Sequence, residues 1–484
     1  MTGYLFTDVQ VFDGSGTARF PGEVLVRGET IEAVARGDER LDRAGVDVVI
    51  GGSDSTLMPG LVEAHAHLTW PSSVERVINA MKLPIEEHLL VTAQNARILI
   101  DHGFTSAYSA GSLGEKFEPA LRDRIDAGHL PGPRLRASAL EKGAEGVMGV
   151  PAGHDPTHDR SIEGLRSYVR EMKSIGCDTI KFLMSSDEAF APGGAQTLMY
   201  SEEEAQAIGQ AAREAGVWLA CHAQAAEAVK RAVRAGFRAI FHCTYADEEA
   251  LDLMEAAKDQ LFMAPAPGLL WARCHEAQDF GIGPAEAEQM GAASGLRLMG
   301  EIVPELRRRG VRVLPGGDYG FPYNPIGRNA RDLGLFVDLF GFTPIEALVA
   351  ATRQGGELMD LPVGEIRPGM LADILLVDSD PTSDVTVLED RNNLLAIMKG
   401  GRFHKPPRRP NEPRHRDPIR RLRRPGPGGR ARLLPGCLGP KGSRREGRHG
   451  SFRHLRRRRG LCGAAAPVRA EAHRRHRAGR RDTW

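Results

Sequence analysis

The stretch Leu57-Met58-Pro59-Gly60-Leu61-Val62-Glu63-Ala64-His65-Ala66-His67 is the most informative part of this chain of 484 residues. Its apolar first half is short and contains a Pro-Gly pair, which favours a buried strand of a parallel sheet. Residues two apart on a strand share a face and lie about 7 Å apart along it. His65 and His67 can therefore reach one divalent ion at metal–nitrogen distances of about 2.0–2.1 Å. A lone His-x-His pair also arises by chance, so the interpretation depends on the rest of the chain.

Four more candidate ligands each follow a glycine and a strand-length segment. They are Lys181 after Gly176, His222 after Gly216, His242 after Gly236 and Asp318 after Gly310. Glycine just beyond a helix end is a common cap, and five or six residues make one ordinary strand. Each polar residue is thus placed at the carboxyl end of its strand, which is the face that carries the active site in (β/α)8 barrels.

The coarse pattern predicts eight strand–helix units over about 300 residues, an ordinary size for such a barrel. The expected strands are 61–68, 104–110, 133–139, 178–184, 217–223, 237–243, 260–266 and 311–318. Expected helices include 86–102, 161–175, 286–310 and 343–353. The helix before His222 opens on Ser201-Glu202-Glu203-Glu204, which is the pattern of a capping box.

Taken singly, each candidate ligand has an ordinary structural explanation. His222 or His242 could be a hydrogen-bonded core histidine. Lys181 could extend from a core strand toward solvent, and Asp318 could belong to a turn. Their joint recurrence at strand ends favours a metal site.

Together these residues resemble the metal-dependent amidohydrolase superfamily. The matching segments are Pro59–His67, Ile180-Lys181, His222, His242–Glu248 and Gly317-Asp318. The chain is similar to the branch of imidazolonepropionase-like enzymes, Xaa-Pro and Xaa-Arg dipeptidases and ochratoxin-type amidases. Within that branch it looks most like the phenylurea hydrolases and the thiocarbamate (molinate) hydrolase. The resemblance covers about residues 1–405.

The resemblance implies a centre of two divalent ions. His65 and His67 would bind the buried ion, and His222 and His242 the outer one. A carboxylated Lys181 would bridge both ions, and Asp318 would ligate the buried ion and act as general base. Zinc is the expected metal, although cobalt, manganese or ferrous iron would suit the same ligands.

This ligand set is chemically coherent. Two ions about 3.5–4 Å apart lower the pKa of a bridging water and stabilise the developing oxyanion. Carboxylation removes the lysine charge and supplies two oxygen donors. Asp318 can take the proton of the water and pass it to the leaving amine.

The resemblance also implies the domain organisation of an α/β protein. A (β/α)8 TIM barrel would occupy residues 58–358. A small β-sandwich would be built from both termini, residues 1–57 and 359–405, where short strand-like segments occur.

Two residues are candidates for substrate contact. His154 lies in the loop after the third strand, where this branch places a histidine that contacts the polar group of the substrate. Tyr245 lies three residues past His242, and its hydroxyl could polarise the scissile carbonyl. The alternatives are a surface histidine and an aromatic residue at the barrel rim.

Two features favour an uncharged substrate. In the second strand, Tyr108-Ser109 replaces the Arg-Asp pair that the branch has after a Thr-Thr run, and residues 265–271 would line the pocket mouth with apolar surface. No cation that would bind a substrate carboxylate is evident. We therefore expect metal-bound hydroxide to cleave a urea, carbamate, thiocarbamate or amide bond of a small, largely uncharged molecule. The alternative is a Xaa-Pro or Xaa-Arg dipeptidase, or an ochratoxin-type amidase of N-acyl amino acids.

The composition changes abruptly near Lys405. Residues 1–405 hold 39 basic and 58 acidic residues, a net charge of −19, whereas residues 406–484 hold 25 basic and 5 acidic residues, a net charge of +20. An arginine-rich segment could bind nucleic acid. The mixture of Arg, Gly, Pro, Ala and His is also what an out-of-frame or read-through translation of a GC-rich gene produces, and we favour that explanation. In both cases we expect this tail to be disordered.

The remaining features concern location and partners. Neither an apolar stretch of about 18 residues nor a basic-then-apolar start occurs, so we expect no membrane span and no secretory signal. Six cysteines without Cys-x-x-Cys spacing indicate reduced thiols in a cytoplasm. We expect a cytoplasmic homo-oligomer that acts on a small molecule, with no membrane partner and no nucleic-acid partner.

Overall fold

The computed structural model describes residues 2–53, 55–72, 83–143, 159–189 and 192–407. The substrate-contact candidate His154 and the arginine-rich residues from 408 onward lie outside these ranges. The expectations about them stay predictions.

Strands and helices alternate through the middle of the chain. The strands are β1 (Gly3–Val11), β2 (Phe20–Arg27), β3 (Thr30–Arg36), β4 (Val48–Gly51), β5 (Thr56–Pro59), β6 (Leu61–Ala66), β7 (Phe104–Ser109), β8 (Arg134–Arg136), β9 (Thr179–Leu183), β10 (Trp218–Ala225), β11 (Ala239–Tyr245), β12 (Phe262–Ala264), β13 (Arg312–Val313), β14 (Ile374–Val377), β15 (Leu394–Lys399) and β16 (Arg402–Lys405). The helices are α1 (Ile85–Asp101), α2 (Phe117–Asp126), α3 (Ile162–Ser174), α4 (Glu202–Ala215), α5 (Ala226–Ala235), α6 (Glu248–Ala256), α7 (Pro267–His275), α8 (Pro284–Gln289), α9 (Ala292–Arg308), α10 (Arg331–Phe340), α11 (Pro344–Val349) and α12 (Gly355–Met359).

Eight strands, β6 to β13, pair only in parallel and follow one another in chain order. They form a three-stranded sheet, β6-β7-β8, and a five-stranded sheet, β9 to β13. Backbone bonds from Lys142 N–H to the Lys181 carbonyl and from Leu183 N–H to the Lys142 carbonyl, both 2.9 Å, connect the end of one sheet to the other. Each strand overlaps one of the eight expected ranges, and the fold is mixed α/β as predicted.

Strands from both ends of the chain share one further sheet. Its order is β16-β15-β14-β5-β1-β2-β3, and β4 pairs with β1. Strand β5 runs antiparallel to β14, with Met58 opposite Leu375, so the segment leading into His65 is held by a strand more than 300 residues later. Apolar residues of both ends, including Val24 and Ile374, form a second core beneath this sheet. Its expected arrangement as a two-layered sandwich stays a prediction.

The helices agree with expectation except where glycine or packing interrupts them. Helices α1 and α3 lie within one residue of the expected bounds. The capping box is confirmed, because Ser201 Oγ accepts from Glu204 N–H and the Glu204 carboxylate accepts from Ser201 N–H. The single helix expected over 286–310 is wrong. It is two helices, α8 and α9, because Gly291 adopts φ +69°, a left-handed conformation that ends α8.

The helix expected over 343–353 also differs. α11 continues into a π-helical turn at Ala350–Gln354 and then into α12. Among the described residues, no helix combines the length and the apolar character needed to cross a bilayer.

We expect Glu118→Gln on α2 to flatten the pH dependence of stability. Burial raises the pKa of Glu118 to about 7, although hydrogen bonds from Ser109 and from Ser138 N–H act to lower it. Below its ordinary pKa of 4.5, Glu118 is protonated in both the folded and the unfolded chain, and its contribution to the free energy of unfolding is complete. That contribution is lost as pH rises through about 7, because the folded chain must then bury a charge. Glutamine cannot ionise, so from pH 4.5 to pH 8 the variant should gain on the order of 2–3 kcal/mol relative to the wild type.

Urea unfolding at pH 5 and at pH 8 measures this difference. Glu163→Gln, on the exposed face of α3, is the matched control. Identical pH dependence in the wild type and Glu118→Gln would show that Glu118 is ionised in the folded chain.

Candidate metal centre

The four predicted histidine ligands form a row of imidazole rings at the carboxyl ends of three strands. His65 is on β6 and His67 follows it, while His222 and His242 are on β10 and β11. Ring centroids are 5.2 Å apart for His67 and His65, 5.2 Å for His65 and His242, and 4.4 Å for His242 and His222. All four side chains are buried. The structure therefore brings together residues that are up to 177 positions apart in the sequence.

Asp318 reaches this row because two glycines precede it. A Cβ atom on Gly316 would lie 2.8 Å from both the Cβ and the backbone nitrogen of His65, and one on Gly317 would lie 2.5 Å from Asp332 Oδ1. Only residues without side chains allow so close an approach. Asp318 itself adopts φ +58°. Its Oδ1 lies 3.1 Å from His67 Nε2 and 3.8 Å from His65 Nε2.

The donor set of His65, His67 and Asp318 fits a divalent ion, because their ligand atoms all lie within 4.8 Å of one another. His67 Nδ1 lies 3.1 Å from the Gly111 carbonyl, to which it donates, so in the neutral ring Nε2 carries the lone pair. That lone pair faces the Asp318 carboxylate, and two acceptors repel unless a cation or a proton lies between them. Asp318 Oδ1 and His65 Nδ1 are moreover buried without a hydrogen-bond partner among the described residues.

The charges of the site also suit a metal ion. Burial lowers the pKa of His65 and His242 well below the usual range, and it lowers the pKa of His222 as well. Burial alone would raise the pKa of Asp318, but interactions with His65 and His67 hold it well below its usual range. Neutral imidazoles and an ionised carboxylate are the forms that bind metals.

Lys181 lies on β9 beside the histidine row. Its Nζ donates to the Ala110 carbonyl at 2.7 Å and lies 4.7 Å from the ring centroid of Phe241, which stacks on His65. Only 1% of Lys181 is exposed, so it does not extend to solvent. Its carboxylation and its role as a bridge stay predictions.

Of the two candidates for substrate contact, Tyr245 lies within the described residues. Tyr245 is the last residue of β11, half-buried at the carboxyl end, and burial together with Glu188 and Asp187 raises its pKa. Its contact with substrate stays a prediction, as does that of His154.

Sequence reasoning missed two carboxylates beside the row. Glu141 lies after β8, with Oε1 3.5 Å from His67 Nδ1 and Oε2 3.7 Å from Lys181 Nζ. Asp187 Oδ2 lies 3.8 Å from His222 Nε2 and accepts from Gln224 at 2.8 Å. Asp187 follows the end of β9 within a few residues, which was a usable signal. No pattern before Glu141 marked it.

Two observations bear on the expectation of an uncharged substrate, namely the orientation of Tyr108 and a buried arginine. The hydroxyls of Tyr108 and Thr179 share a hydrogen bond of 2.8 Å. Because Thr179 is the first residue of β9, the Tyr108 side chain points toward the amino end of the strands. Ser109 Oγ accepts from Gly111 N–H. Arg273 on α7 is a buried cation that interacts electrostatically with both Asp318 and Asp187, so it is a candidate that the sequence did not reveal.

This combination of fold and site is that of a known family. The chain matches the amidohydrolase family over residues 56–278 and 299–403, and it belongs to that family. It is a hydrolytic enzyme, as the sequence predicted.

Individual relatives agree with this assignment. Ochratoxinase of Aspergillus niger is 23% identical over 389 residues, which cover 72% of this chain and 76% of the relative. The solved structure of a Xaa-Pro dipeptidase with bound methionine is 25% identical, covers 84% of this chain and 100% of that chain, and superposes with a TM-score of 0.72. Phenylurea hydrolase B, at 20% identity, covers 83% of this chain and 96% of that chain with a TM-score of 0.66, which shows a shared fold.

We expect the purified protein to bind up to two divalent ions per chain, and His67→Ala to lose at least one of them because a buried nitrogen donor is removed. Elemental analysis after dialysis against zinc measures this. His102→Ala is the control, since His102 Nδ1 bonds to the Ile98 carbonyl away from the row. Equal metal content in both variants would contradict the assignment.

Proposed function

We propose that this protein is a metal-dependent hydrolase that cleaves an amide-type bond of a small organic molecule. The observation that carries the proposal is the buried contact of Asp318 Oδ1 with the Nε2 atoms of His65 and His67. Family membership supports the reaction class.

The proposal includes closure of the eight parallel strands into a (β/α)8 barrel over residues 58–358. Two observations support closure. The backbone bonds of Lys142 with Lys181 and with Leu183 join the two sheets at one seam. At the other seam, Gly316 beyond β13 approaches His65 on β6 so closely that a side chain would not fit.

The chemistry follows from the positions of the side chains. Bound divalent ions, of which zinc is expected, would supply Lewis-acid activation of a water and of the scissile carbonyl. Asp318 accepts the proton of the attacking water at Oδ1 and delivers it to the leaving nitrogen. The Gly111 carbonyl keeps His67 Nε2 directed into the site.

We assign His222 and His242 to a second ion and a carboxylated Lys181 to the bridge between the two ions. The 4.4 Å separation of the two imidazole rings and the burial of Lys181 beside Phe241 support this assignment. His154 and Tyr245 would contact the polar group and the scissile carbonyl of the substrate.

Two substrate classes agree with this chemistry. One is the uncharged urea, carbamate, thiocarbamate or amide that the apolar stretch at residues 265–271 predicts. The other is a dipeptide or an N-acyl amino acid, and the buried cation Arg273 favours it.

We place the enzyme in the cytoplasm as a homo-oligomer. Among the described residues, Cys177, Cys221 and Cys243 are free and buried thiols, which supports a reducing compartment.

We expect Asp318→Asn to keep much of the bound metal but to lose on the order of 10²–10⁴ in kcat, because the amide cannot accept a proton. Steady-state kinetics with elemental analysis of the same sample test this. A near-normal kcat with full metal content would place the general base elsewhere.

We expect Lys181→Ala to lose the second ion and most of the activity, because the bridging oxygens are removed. Added bicarbonate or a short carboxylic acid should restore part of both, since it can occupy the vacated space. Wild-type rate and metal content in the variant would show that Lys181 is only a core residue.

A further inference from the structure

Arg273 is a buried charge that no ion pair within 4 Å joins to an acid in the described part of the chain, although Asp187 and Asp318 act on it over a longer range. Its residue is 5% exposed, its Nε has no hydrogen-bond partner, and no ion pair joins it to any acid among the described residues. Other buried arginines differ. Arg309 pairs with Glu248, Asp252 and Glu305, and Arg331 pairs with Glu276.

A guanidinium without an ion-pair partner in the interior destabilises the folded chain, because the charge loses its hydration without gaining a counter-ion. Burial acts to lower the pKa of Arg273, but the Tyr323 hydroxyl and the charges of Asp187 and Asp318 raise it overall. The side chain is therefore a permanent cation in the folded chain. Charged groups with perturbed pKa values cluster at functional sites.

The position of Arg273 links this charge to the metal centre through two aromatic rings. Its guanidinium carbon lies 5.8 Å from the ring centroid of Phe321, whose ring lies 4.9 Å from that of Trp70. The ring centroid of Trp70 lies in turn 4.5 Å from that of His67. Trp70 and Phe321 each follow a candidate ligand by three residues, so both belong to the loops at the carboxyl ends of the strands.

The two acids within electrostatic range of Arg273 lie at opposite ends of the histidine row. Asp318 contacts His67, and Asp187 lies beside His222. A substrate whose reacting carbonyl lies at Asp318 would therefore be within the electrostatic range of Arg273.

We propose that Arg273 binds the carboxylate of the substrate, and that the enzyme therefore prefers N-acyl amino acids or dipeptides to uncharged ureas and carbamates. This inference rests on the proposed hydrolytic function. The guanidinium fork matches a carboxylate with two parallel hydrogen bonds, which the single point charge of lysine does not reproduce.

The test compares an acid with its uncharged analogue. Zinc-loaded wild type and Arg273→Gln are assayed with N-acetyl-L-leucine and L-methionyl-L-proline and with the α-carboxamide of each, and release of the amine from the scissile bond is followed by mass spectrometry. We expect the wild type to prefer each acid it cleaves, and Arg273→Gln to lower the acid-to-carboxamide ratio of kcat/KM by about 100-fold, chiefly through KM. Arg273→Lys should recover only part of the ratio.

Arg309→Gln is the matched control, because it removes a buried arginine that lies before β13, at the opposite end of the strands. It should leave the acid-to-carboxamide ratio unchanged. Metal content and melting temperature of each variant show whether a loss of ratio reflects folding. If neither Arg273 variant folds, the wild-type ratio decides.

The outcomes separate the inference from the function on which it rests. Hydrolysis of a phenylurea or a thiocarbamate in preference to the acids, or an unchanged ratio in Arg273→Gln, overturns the role of Arg273 while the hydrolytic function stands. No hydrolysis of any acid, carboxamide, phenylurea or thiocarbamate by zinc-loaded wild type overturns both.

Discussion

The contact of the Asp318 carboxylate with the imidazoles of His65 and His67 is the interaction on which the site depends. It brings a carboxylate oxygen within 3.1 Å of a ring nitrogen, a repulsive arrangement that a cation turns into a stabilising one. Residues before and after Asp318 hold this contact in place. Gly316 has no side chain to keep β13 away from β6, and Asn324 holds the Gly317 and Asp318 carbonyls at 2.9 and 3.0 Å. The fold itself thus holds the three side chains of the candidate metal centre together.

The sheet built from both chain ends serves the same contact by anchoring β6. The backbone carbonyl of Asp373, just before β14, accepts from Gly60 N–H at 2.9 Å, and its carboxylate accepts from Arg134 at 2.8 Å and from Gly400 N–H at 2.7 Å. One buried acid therefore ties the start of β6, the start of β8 and the C-terminal strands together. Residues near the end of the domain set the position of His65 and His67, although they never touch the metal centre.

The charges of the candidate metal ligands differ from that of Arg273 in how the surrounding residues balance them. Burial lowers the pKa of His65, His222 and His242, and interactions with His65 and His67 lower that of Asp318, which suits metal binding and proton transfer. Arg273 is the contrasting case, since among the described residues no acid forms an ion pair with this buried cation. Burial strengthens the interactions of the candidate ligands, and it also makes an arginine without an ion pair costly.

The sequence by itself determined the eight parallel strands, six candidate ligands and the family. It could do so because a glycine that ends the helix before a strand and the His-x-His spacing are local patterns with direct consequences for the backbone. It could not place Glu141 or Arg273, since nothing local marks either residue as lying near another strand's histidine. Asp187 could have been found from its position just after β9, and the helix expected over 286–310 was wrong because Gly291 interrupts it. Only the tertiary structure decided these points. The charge that a side chain meets is set by residues distant in the chain, and burial, which gives that charge its strength, exists only after folding.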